Sequence, residues 1–153
     1  MAASIAIDAS VVVRYLTGDE KIQSAAAADL FRAAQSGKVK LVIPTSTIQE
    51  TVYVLERLYS LDAATIAPKL ISLLAIPNVT TPDSRWVGEA LQFYRTKNSD
   101  FGDALLCAFA RSEGCDVATF DKGIGKKFSE VAVLTPSECL AGKIPARGKG
   151  ELN

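Results

Sequence analysis

The side chains of this sequence best suited to chemistry are four acids: Asp8, Glu50, Asp103 and Asp121. Carboxylate oxygens are the ligands that Mg²⁺ and Mn²⁺ prefer in proteins. The chain contains no histidine, which excludes Ser-His-Asp and Cys-His catalysis and the usual histidine-containing zinc sites. Any enzyme chemistry must come from carboxylates, lysines, hydroxyls or thiols, so Mg²⁺ or Mn²⁺ is the natural cofactor candidate.

Each acid, taken alone, also has an ordinary structural explanation. Asp8 fits the N-cap of the helix that follows it, and Thr47 with Glu50 fits a capping box. Asp103 suits the positive end of a helix dipole, and Asp121 precedes a Lys-Gly turn sequence. For a single acid the structural explanation is the better one, so a functional site must be argued from the whole set.

The four acids are informative together because the predicted elements place them at one edge of a sheet. Asp8 and Asp121 follow predicted strands, and Glu50 and Asp103 lie in the first turns of predicted helices. Ligands of parallel α/β sheets bind beyond the carboxyl ends of the strands. Several of the acids border apolar segments, as Asp121 does after Phe120, and such carboxylates need partners. Few basic residues lie nearby, so a divalent cation is the simplest relief of their mutual repulsion.

Apolar residues recur along the chain with alternating strand and helix spacing. The strands are predicted over 4–7, 39–43, 116–120 and 131–134, with a very short one at Val79. The helices are predicted over 10–16, 22–35, 47–59, 62–75, 82–97 and 100–113. This order predicts an α/β fold, a three-layer sandwich with a central parallel sheet of four to five strands and helices on both faces.

Length and composition predict one folded domain. The chain has 153 residues, of which 48% are hydrophobic and 22% charged, which suits a globular domain with its own core. No apolar run is long enough for a membrane span and the start does not resemble a signal peptide, so we expect a cytoplasmic protein. We predict one folded domain over residues 1–141 and a polar, mobile tail over 142–153.

Charge and cysteine usage add two weaker observations. The formal net charge is zero, from 17 basic and 17 acidic residues, which is not the basic balance of a dedicated nucleic-acid-binding protein but permits a local basic patch. The three cysteines include no Cys-x-x-Cys pair, so neither a disulfide framework nor a thiolate zinc site is indicated. Cys107 lies in an apolar helical run and is expected in the core.

Four short segments that contain the acids resemble the motifs of a known family. They are, in order, Ile7-Asp8-Ala9-Ser10, Ser46-Thr47-Ile48-Gln49-Glu50, Asp100-Phe101-Gly102-Asp103-Ala104-Leu105-Leu106 and Thr119-Phe120-Asp121-Lys122. The ordered set, over roughly Ile5 to Leu134, resembles the acidic motifs of the PIN-domain ribonucleases, and most closely those of VapC-type toxins of type II toxin–antitoxin pairs. The resemblance implies a PIN-like sheet, one or two Mg²⁺ or Mn²⁺ ions held by the four acids, and endonuclease activity on RNA.

The resemblance also implies roles for individual residues and for partners. Asp8 and Asp103 would be the principal metal ligands, with Glu50 and Asp121 completing the cluster. A homodimer and a small antitoxin protein that covers or enters the site would be the protein partners. With such a cation, we expect metal-activated water to attack the phosphodiester in line and to leave a 5′-phosphate and a 3′-hydroxyl.

Neighbouring polar residues are candidates for auxiliary roles. We interpret Asp100 first as a helix cap and second as an auxiliary ligand. The hydroxyls of Ser10 and Thr119 could orient ligands or phosphate oxygens, and turn or strand roles explain them equally well. Four basic residues could contact RNA phosphates or be ordinary surface charges: Arg14, Lys122, Lys126 and Lys127.

Two other functions remain open on the sequence. An aspartyl-phosphate phosphatase would use Asp8 as a nucleophile, but such enzymes need a second Asp where this chain has Ser10. A non-catalytic binding module with a receiver-like acidic pocket usually has adjacent acids after its first strand, and this chain has only Asp8 there.

Overall fold

The computed structural model describes residues 2–142, and the chain forms two compact units, Met1–Ser84 and Arg85–Asn153. The tail predicted over 142–153 lies outside the described residues except for Gly142. The prediction of one nuclease domain over 1–141 stays a prediction, because a single domain can contain two compact units. None of the helices within the described part of the chain is long and apolar enough to cross a lipid bilayer.

The first unit is built on a three-stranded parallel sheet with the order β1-β2-β3. Its elements are β1 (Ala3–Ala6), α1 (Ala9–Thr17), α2 (Lys21–Gln35), β2 (Val39–Val42), α3 (Thr45–Arg57), α4 (Ala63–Leu74) and β3 (Val79–Thr80). The central strand β2 buries Leu41 completely. Helices α1 and α2 pack together, and the rings of Tyr15 and Phe31 stack with centroids 4.2 Å apart. Strand β1 is held by its parallel pairing with β2, in which Ala6 lies opposite Val42, and this pairing fixes the position of the residues that follow β1.

Among the described residues, the second unit contains four helices and a two-stranded parallel sheet. Its elements are α5 (Ser84–Thr96), α6 (Phe101–Glu113), β4 (Val117–Ala118), α7 (Lys122–Lys127), β5 (Val133–Leu134) and α8 (Pro136–Ala141). Helix α6 buries one face, including Cys107, so the prediction that Cys107 is a core residue is confirmed. Edge-to-face ring contacts join Phe93 to Phe128 and Tyr94 to Phe101. These contacts pack α5 against the residues that carry the acids of this unit.

The predicted α/β class with parallel strands is confirmed, but the predicted single sheet of four to five strands is wrong. Within residues 2–142 the five strands form a sheet of three and a separate sheet of two. The last two strands are shorter than predicted, with β4 limited to Val117–Ala118 and β5 to Val133–Leu134. Backbone groups of alternate strand residues face opposite neighbours, so a two-residue strand offers only one residue to each side. A strand this short can pair with one neighbour but does not hold a second strand on its other side.

Candidate metal centre

Asp8 stands between β1 and α1, where it caps the helix. Its Oδ2 accepts hydrogen bonds from the Ser10 amide (3.0 Å) and the Ser10 hydroxyl (2.6 Å). The hydroxyl bond, followed by the amide bond, lowers the pKa of this exposed carboxyl below its ordinary value of 3.8. The helix-cap prediction is confirmed. A metal-ligand role is compatible with it, because the group is ionised at neutral pH and both Ser10 bonds use the same one of its two oxygens.

Glu50 lies on α3, and its predicted structural role is wrong. Helix α3 begins at Thr45 after Pro44, which makes no side-chain cap, so Thr47 is already inside the helix. The Thr47 hydroxyl donates instead to the Ile7 carbonyl, at 2.9 Å. Thr47 and Glu50 therefore form no capping box. Glu50 is exposed and makes no hydrogen bond or ion pair with any residue of the described part of the chain.

Asp8 and Glu50 line the same cavity of the first unit, whose volume is about 300 Å³. Ser10, Arg14 and Tyr59 also contribute to its wall. The structure thus brings together the first two predicted acids, with Ser10 beside them and a guanidinium group at the rim. Thr47, for which the sequence predicts only a capping role, contributes by tying α3 to the end of β1.

Arg14 is held in place by a network of polar side chains. Its Nε donates to Gln23 at 2.9 Å, and its Nη1 donates to Asp19 and to the Tyr59 hydroxyl, both at 3.2 Å. The Tyr59 hydroxyl in turn donates to Asp19. The bond from Tyr59 is the largest cause, ahead of Thr17 and Arg14, of the lowered pKa of Asp19. These bonds hold the guanidinium in a fixed orientation at the cavity wall. Its charge is already partly neutralised there by the ion pair with Asp19.

Asp100 and Asp103 begin helix α6 in the second unit. Asp100 caps the helix by accepting from the amides of Gly102 (2.7 Å) and Asp103 (3.4 Å), which confirms its predicted cap role. Asp103 is half-buried. Burial, and then the charges of Asp100 and Asp121, raise the pKa of Asp103, while Lys127 opposes the shift. The ionised form of Asp103 is therefore disfavoured by its burial and by the charges of two other acids.

Asp121 caps α7, so the predicted turn is the start of a short helix. Its Oδ1 accepts from the Gly123 amide at 2.8 Å, and its own amide donates to the Thr119 hydroxyl at 3.0 Å. A Cβ at Gly123 would lie 3.0 Å from this Oδ1, so glycine leaves room for the carboxylate. The expectation that Asp121 borders a buried segment is wrong, because β4 ends at Ala118 and Phe120 is 86% exposed.

The basic residues of the second unit differ in how firmly they are held. Lys122 and Lys126 are exposed on α7. Lys127 is also exposed, yet it acts on Asp103 by lowering its pKa. Lys97, which is not among the basic residues predicted to contact RNA, donates to the Lys127 carbonyl at 3.2 Å. This contact joins residues 30 positions apart, and no local pattern in the sequence indicates it.

The acids of each unit fit a hard divalent cation by the chemistry of their donors. All are oxygen ligands, and in the second unit Asp103 lies within electrostatic reach of both Asp100 and Asp121. Among residues 2–142, however, no group of three or more His, Cys, Asp or Glu side chains is already arranged to hold a metal ion. The structure brings Asp8 to Glu50 and Asp103 to Asp121, each pair within its own unit.

Comparisons with known proteins identify the family of the chain. The family model described as PIN domain matches residues 5–134. A comparison with curated proteins finds no significant match. Among solved structures, PAE2754 from Pyrobaculum aerophilum is 19% identical, with 93% of this chain and 91% of that chain covered and a TM-score of 0.33. VapBC2 from Rickettsia felis, bound to a DNA fragment from its promoter, is 10% identical, with 88% and 97% covered and a TM-score of 0.33.

Proposed function

Since the chain belongs to the PIN domain family, whose members are generally nucleases, we propose that it is a metal-dependent endoribonuclease. We propose further that it is the toxin of a toxin–antitoxin pair, acting as a homodimer that a small antitoxin protein inhibits. The family match supports the nuclease activity. The toxin assignment rests on the four ordered acidic segments, which resemble those of VapC-type toxins.

One observation carries the proposal of metal dependence. Asp103 is half-buried and its pKa is raised by burial and by the charges of Asp100 and Asp121. Carboxyls whose charged form is disfavoured by burial and by like charges are concentrated at functional sites, which supports a ligand role for Asp103. A doubly charged cation reverses the sign of this interaction and makes the same three carboxylates mutually favourable.

The proposed ligands of Mg²⁺ or Mn²⁺ are Asp8 and Glu50 in the first unit and Asp103 and Asp121 in the second, with Asp100 auxiliary. Such an ion, when bound, lowers the pKa of water and stabilises negative charge on phosphate oxygens. Hydroxyl groups next to two of the proposed ligands orient them. The Ser10 hydroxyl fixes one oxygen of Asp8, and the Thr119 hydroxyl fixes the backbone from which the Asp121 carboxylate projects.

Substrate RNA would be held by cations near the acids. Arg14 forms part of the wall of the cavity that contains Asp8, and its network presents the guanidinium at low conformational cost. Lys122, Lys126 and Lys127 lie on the helix that Asp121 caps. Contacts of this kind go to backbone phosphates and supply affinity without sequence preference.

Cleavage of a mixed RNA pool tests the proposal. Purified protein is incubated with Mg²⁺ or Mn²⁺ and with a chelator, and compared with Asp8→Asn and Asp103→Asn. We expect metal-dependent cleavage that leaves 5′-phosphate ends, and a loss of about 100-fold or more in each variant. Asp29→Asn is a matched control, because Asp29 is an exposed acid whose described partner is Arg32 on the same helix.

Several outcomes would contradict the proposal in different ways. Cleavage that survives in both Asn variants would show that these acids are not the site. Products with a 2′,3′-cyclic phosphate would mean that the 2′-hydroxyl of the RNA attacks instead of water. A protein that neither binds Mn²⁺ nor cleaves RNA would be a binding module, and a phospho-aspartate trapped at Asp8 would indicate a phosphatase.

The partner proposals have separate tests. Sedimentation of the purified chain should give the mass of a dimer. Expression of the chain should arrest growth, and co-expression of a small protein encoded directly upstream should restore it. A monomeric chain would remove the homodimer from the proposal, and growth unaffected by an RNA-cleaving protein would remove the toxin assignment.

A further inference from the structure

Two lysines of the second unit make reciprocal contacts that join α7 to the loop before α6. The ammonium of Lys97 donates to the carbonyl of Lys127 at 3.2 Å. The ammonium of Lys127 donates to the carbonyl of Asn98 at 2.7 Å. Each lysine thus bonds to the backbone of the other's segment, and we call this pair of contacts the lysine clasp.

Lys97 is anchored more firmly than a surface lysine. Its ammonium forms an ion pair with Glu130 at 2.7 Å, and the two side chains are only 20% and 25% exposed. It also lies over the rings of Phe93 and Phe128, 5.3 and 5.6 Å from their centroids. Partial burial limits solvent screening of these contacts, and cation–π attraction adds to them. The ammonium of Lys97 is therefore held in a fixed position within the second unit.

The clasp connects the two segments that carry the acids of this unit. Lys97 and Asn98 lead directly into Asp100 and Asp103, while Lys127 ends the helix that Asp121 caps. Helix α7 has only six residues, two of which are glycines. A helix this short does not hold its own position by internal hydrogen bonds and depends on tertiary contacts.

We propose that Lys97 and Lys127 are positioning residues that set the separation of Asp103 from Asp121, and thereby the affinity of these carboxylates for a divalent cation. The inference rests on the proposed metal-dependent function and deepens it. Neither lysine needs to touch the metal. They act through the backbone of α7 and of the loop that precedes α6.

The sign of the expected effect separates positioning from simple electrostatics. A positive charge near carboxylates repels a metal cation, so removing a lysine by itself should strengthen cation binding. Lys127 is close enough to Asp103 for this repulsion to matter, since it lowers the pKa of that carboxyl. If affinity falls although a positive charge has been removed, the lost contribution is geometric.

Calorimetric titration with Mn²⁺ alone tests the inference in Lys97→Met, Lys127→Met and Lys97→Arg. We expect the Met variants to bind Mn²⁺ about 10- to 100-fold more weakly, the range typical of residues that orient metal ligands. The Arg variant should retain most of the affinity, because it keeps a cation beside Glu130. Arg95→Met is the matched control, because it removes an exposed positive charge two residues before Lys97, from the last turn of α5.

A second readout does not require metal. Hydrogen exchange of the α7 amides should be faster in both Met variants than in the wild type, with the rates of α5 unchanged. One oxygen of Glu130 is buried without a partner among the described residues, so Lys97→Met leaves this carboxylate without its ion pair, which destabilises the unit and can unfold it. In that case Lys127→Met, which leaves the ion pair with Glu130 intact, decides the test.

The outcomes separate the inference from the function on which it rests. Folded Met variants that bind Mn²⁺ as tightly as the wild type, or more tightly, overturn the clasp while leaving the nuclease proposal standing. Unchanged exchange of the α7 amides overturns it as well. A wild-type chain that binds no Mn²⁺ overturns the proposed metal dependence and the clasp inference with it.

Discussion

The hydroxyl of Thr47 donates a 2.9 Å hydrogen bond to the backbone carbonyl of Ile7, the residue directly before Asp8. Both residues are buried, Thr47 with 8% and Ile7 with 3% of its surface exposed. The bond fixes the N-terminal turn of α3 against the end of β1. Glu50, one turn further along α3, is thereby held over the cavity that it shares with Asp8.

Replacement of Thr47 by valine should therefore weaken both stability and activity. The variant keeps the shape of the side chain but leaves the Ile7 carbonyl without this donor, which costs about 1–3 kcal/mol when the group is buried. Urea denaturation should show a lower midpoint with an unchanged slope. If the protein is a nuclease as proposed, cleavage should fall as well, because α3 is no longer tied to the strand that precedes Asp8.

Two further variants control this prediction. Thr47→Ser keeps the donor and should lose only about the 0.8 kcal/mol of one buried methyl group. Thr96→Val removes an exposed hydroxyl that bonds within its own helix, to the Gln92 carbonyl, and should change stability by no more than about 0.5 kcal/mol. A valine at position 47 that behaves like the valine at position 96 would show that the bond to Ile7 contributes nothing.

The features that were predictable from the sequence are those decided within a few residues. The caps at Asp8 and Asp100 bond to amides two or three positions ahead, so the side-chain type and the start of the apolar pattern suffice to identify them. The apolar spacing of the long helices is a local signal of the same kind. The capping roles of these acids and the positions of most helices can therefore be predicted from the sequence alone.

The features that were missed depend on contacts distant in sequence. The spacing of Thr47 and Glu50 predicts a capping box, whereas the actual partner of Thr47, the Ile7 carbonyl, lies 40 residues away in the sequence. The sequence predicts a turn where α7 forms, because Gly123 and Gly125 are poor helix formers. The helix is stabilised instead by its cap at Asp121 and by packing against β5. The division of the strands into two sheets also follows from tertiary packing, which apolar periodicity does not report.

The charge of Asp62 should stabilise the first unit in a pH-dependent way. Asp62 caps α4, and its bond from the Thr65 hydroxyl, followed by that from the Thr65 amide, lowers its pKa below 3.8. A lowered pKa in the folded state means that the contribution is fully present above the ordinary pKa and is lost as the pH falls through the folded-state value.

Comparison of the wild type with Asp62→Asn isolates this charge, because Asn caps a helix nearly as well as Asp. Urea midpoints should favour the wild type at neutral pH, and the difference should shrink as the pH falls below 3.8. A difference that stays constant down to the acid-unfolding region would mean that the Asp62 carboxyl titrates normally in the folded chain.

The cysteines should differ sharply in reactivity. Cys115 and Cys139 are exposed, whereas Cys107 is fully buried. Burial, and then the charges of Asp103 and Glu130, raise the pKa of Cys107 to about 11. At about pH 8, iodoacetamide should modify Cys115 and Cys139 within minutes and leave Cys107 unmodified, because only the accessible thiolate reacts.

Mass spectrometry of the digested protein measures this difference directly. Addition of urea above the unfolding midpoint should bring all three thiols to a similar rate, which is the internal control for the reagent. Modification of Cys107 at the rate of Cys115 in the folded protein would mean that helix α6 opens readily, and the packing described for the second unit would then be wrong.

The proposed RNA contact at Lys122 should be visible in the salt dependence of binding. Each phosphate contact to single-stranded nucleic acid contributes about 0.7 to the slope of log affinity against log salt concentration. Lys122 is exposed on the helix that Asp121 caps. With Asp103→Asn as background to prevent cleavage, Lys122→Met should weaken RNA binding several-fold and reduce the slope by about 0.7.

Lys38→Met, which removes an exposed lysine of the first unit, is the matched control and should leave the slope unchanged. Equal slopes for the Lys122 and Lys38 variants would show that the Lys122 ammonium does not contact the RNA backbone.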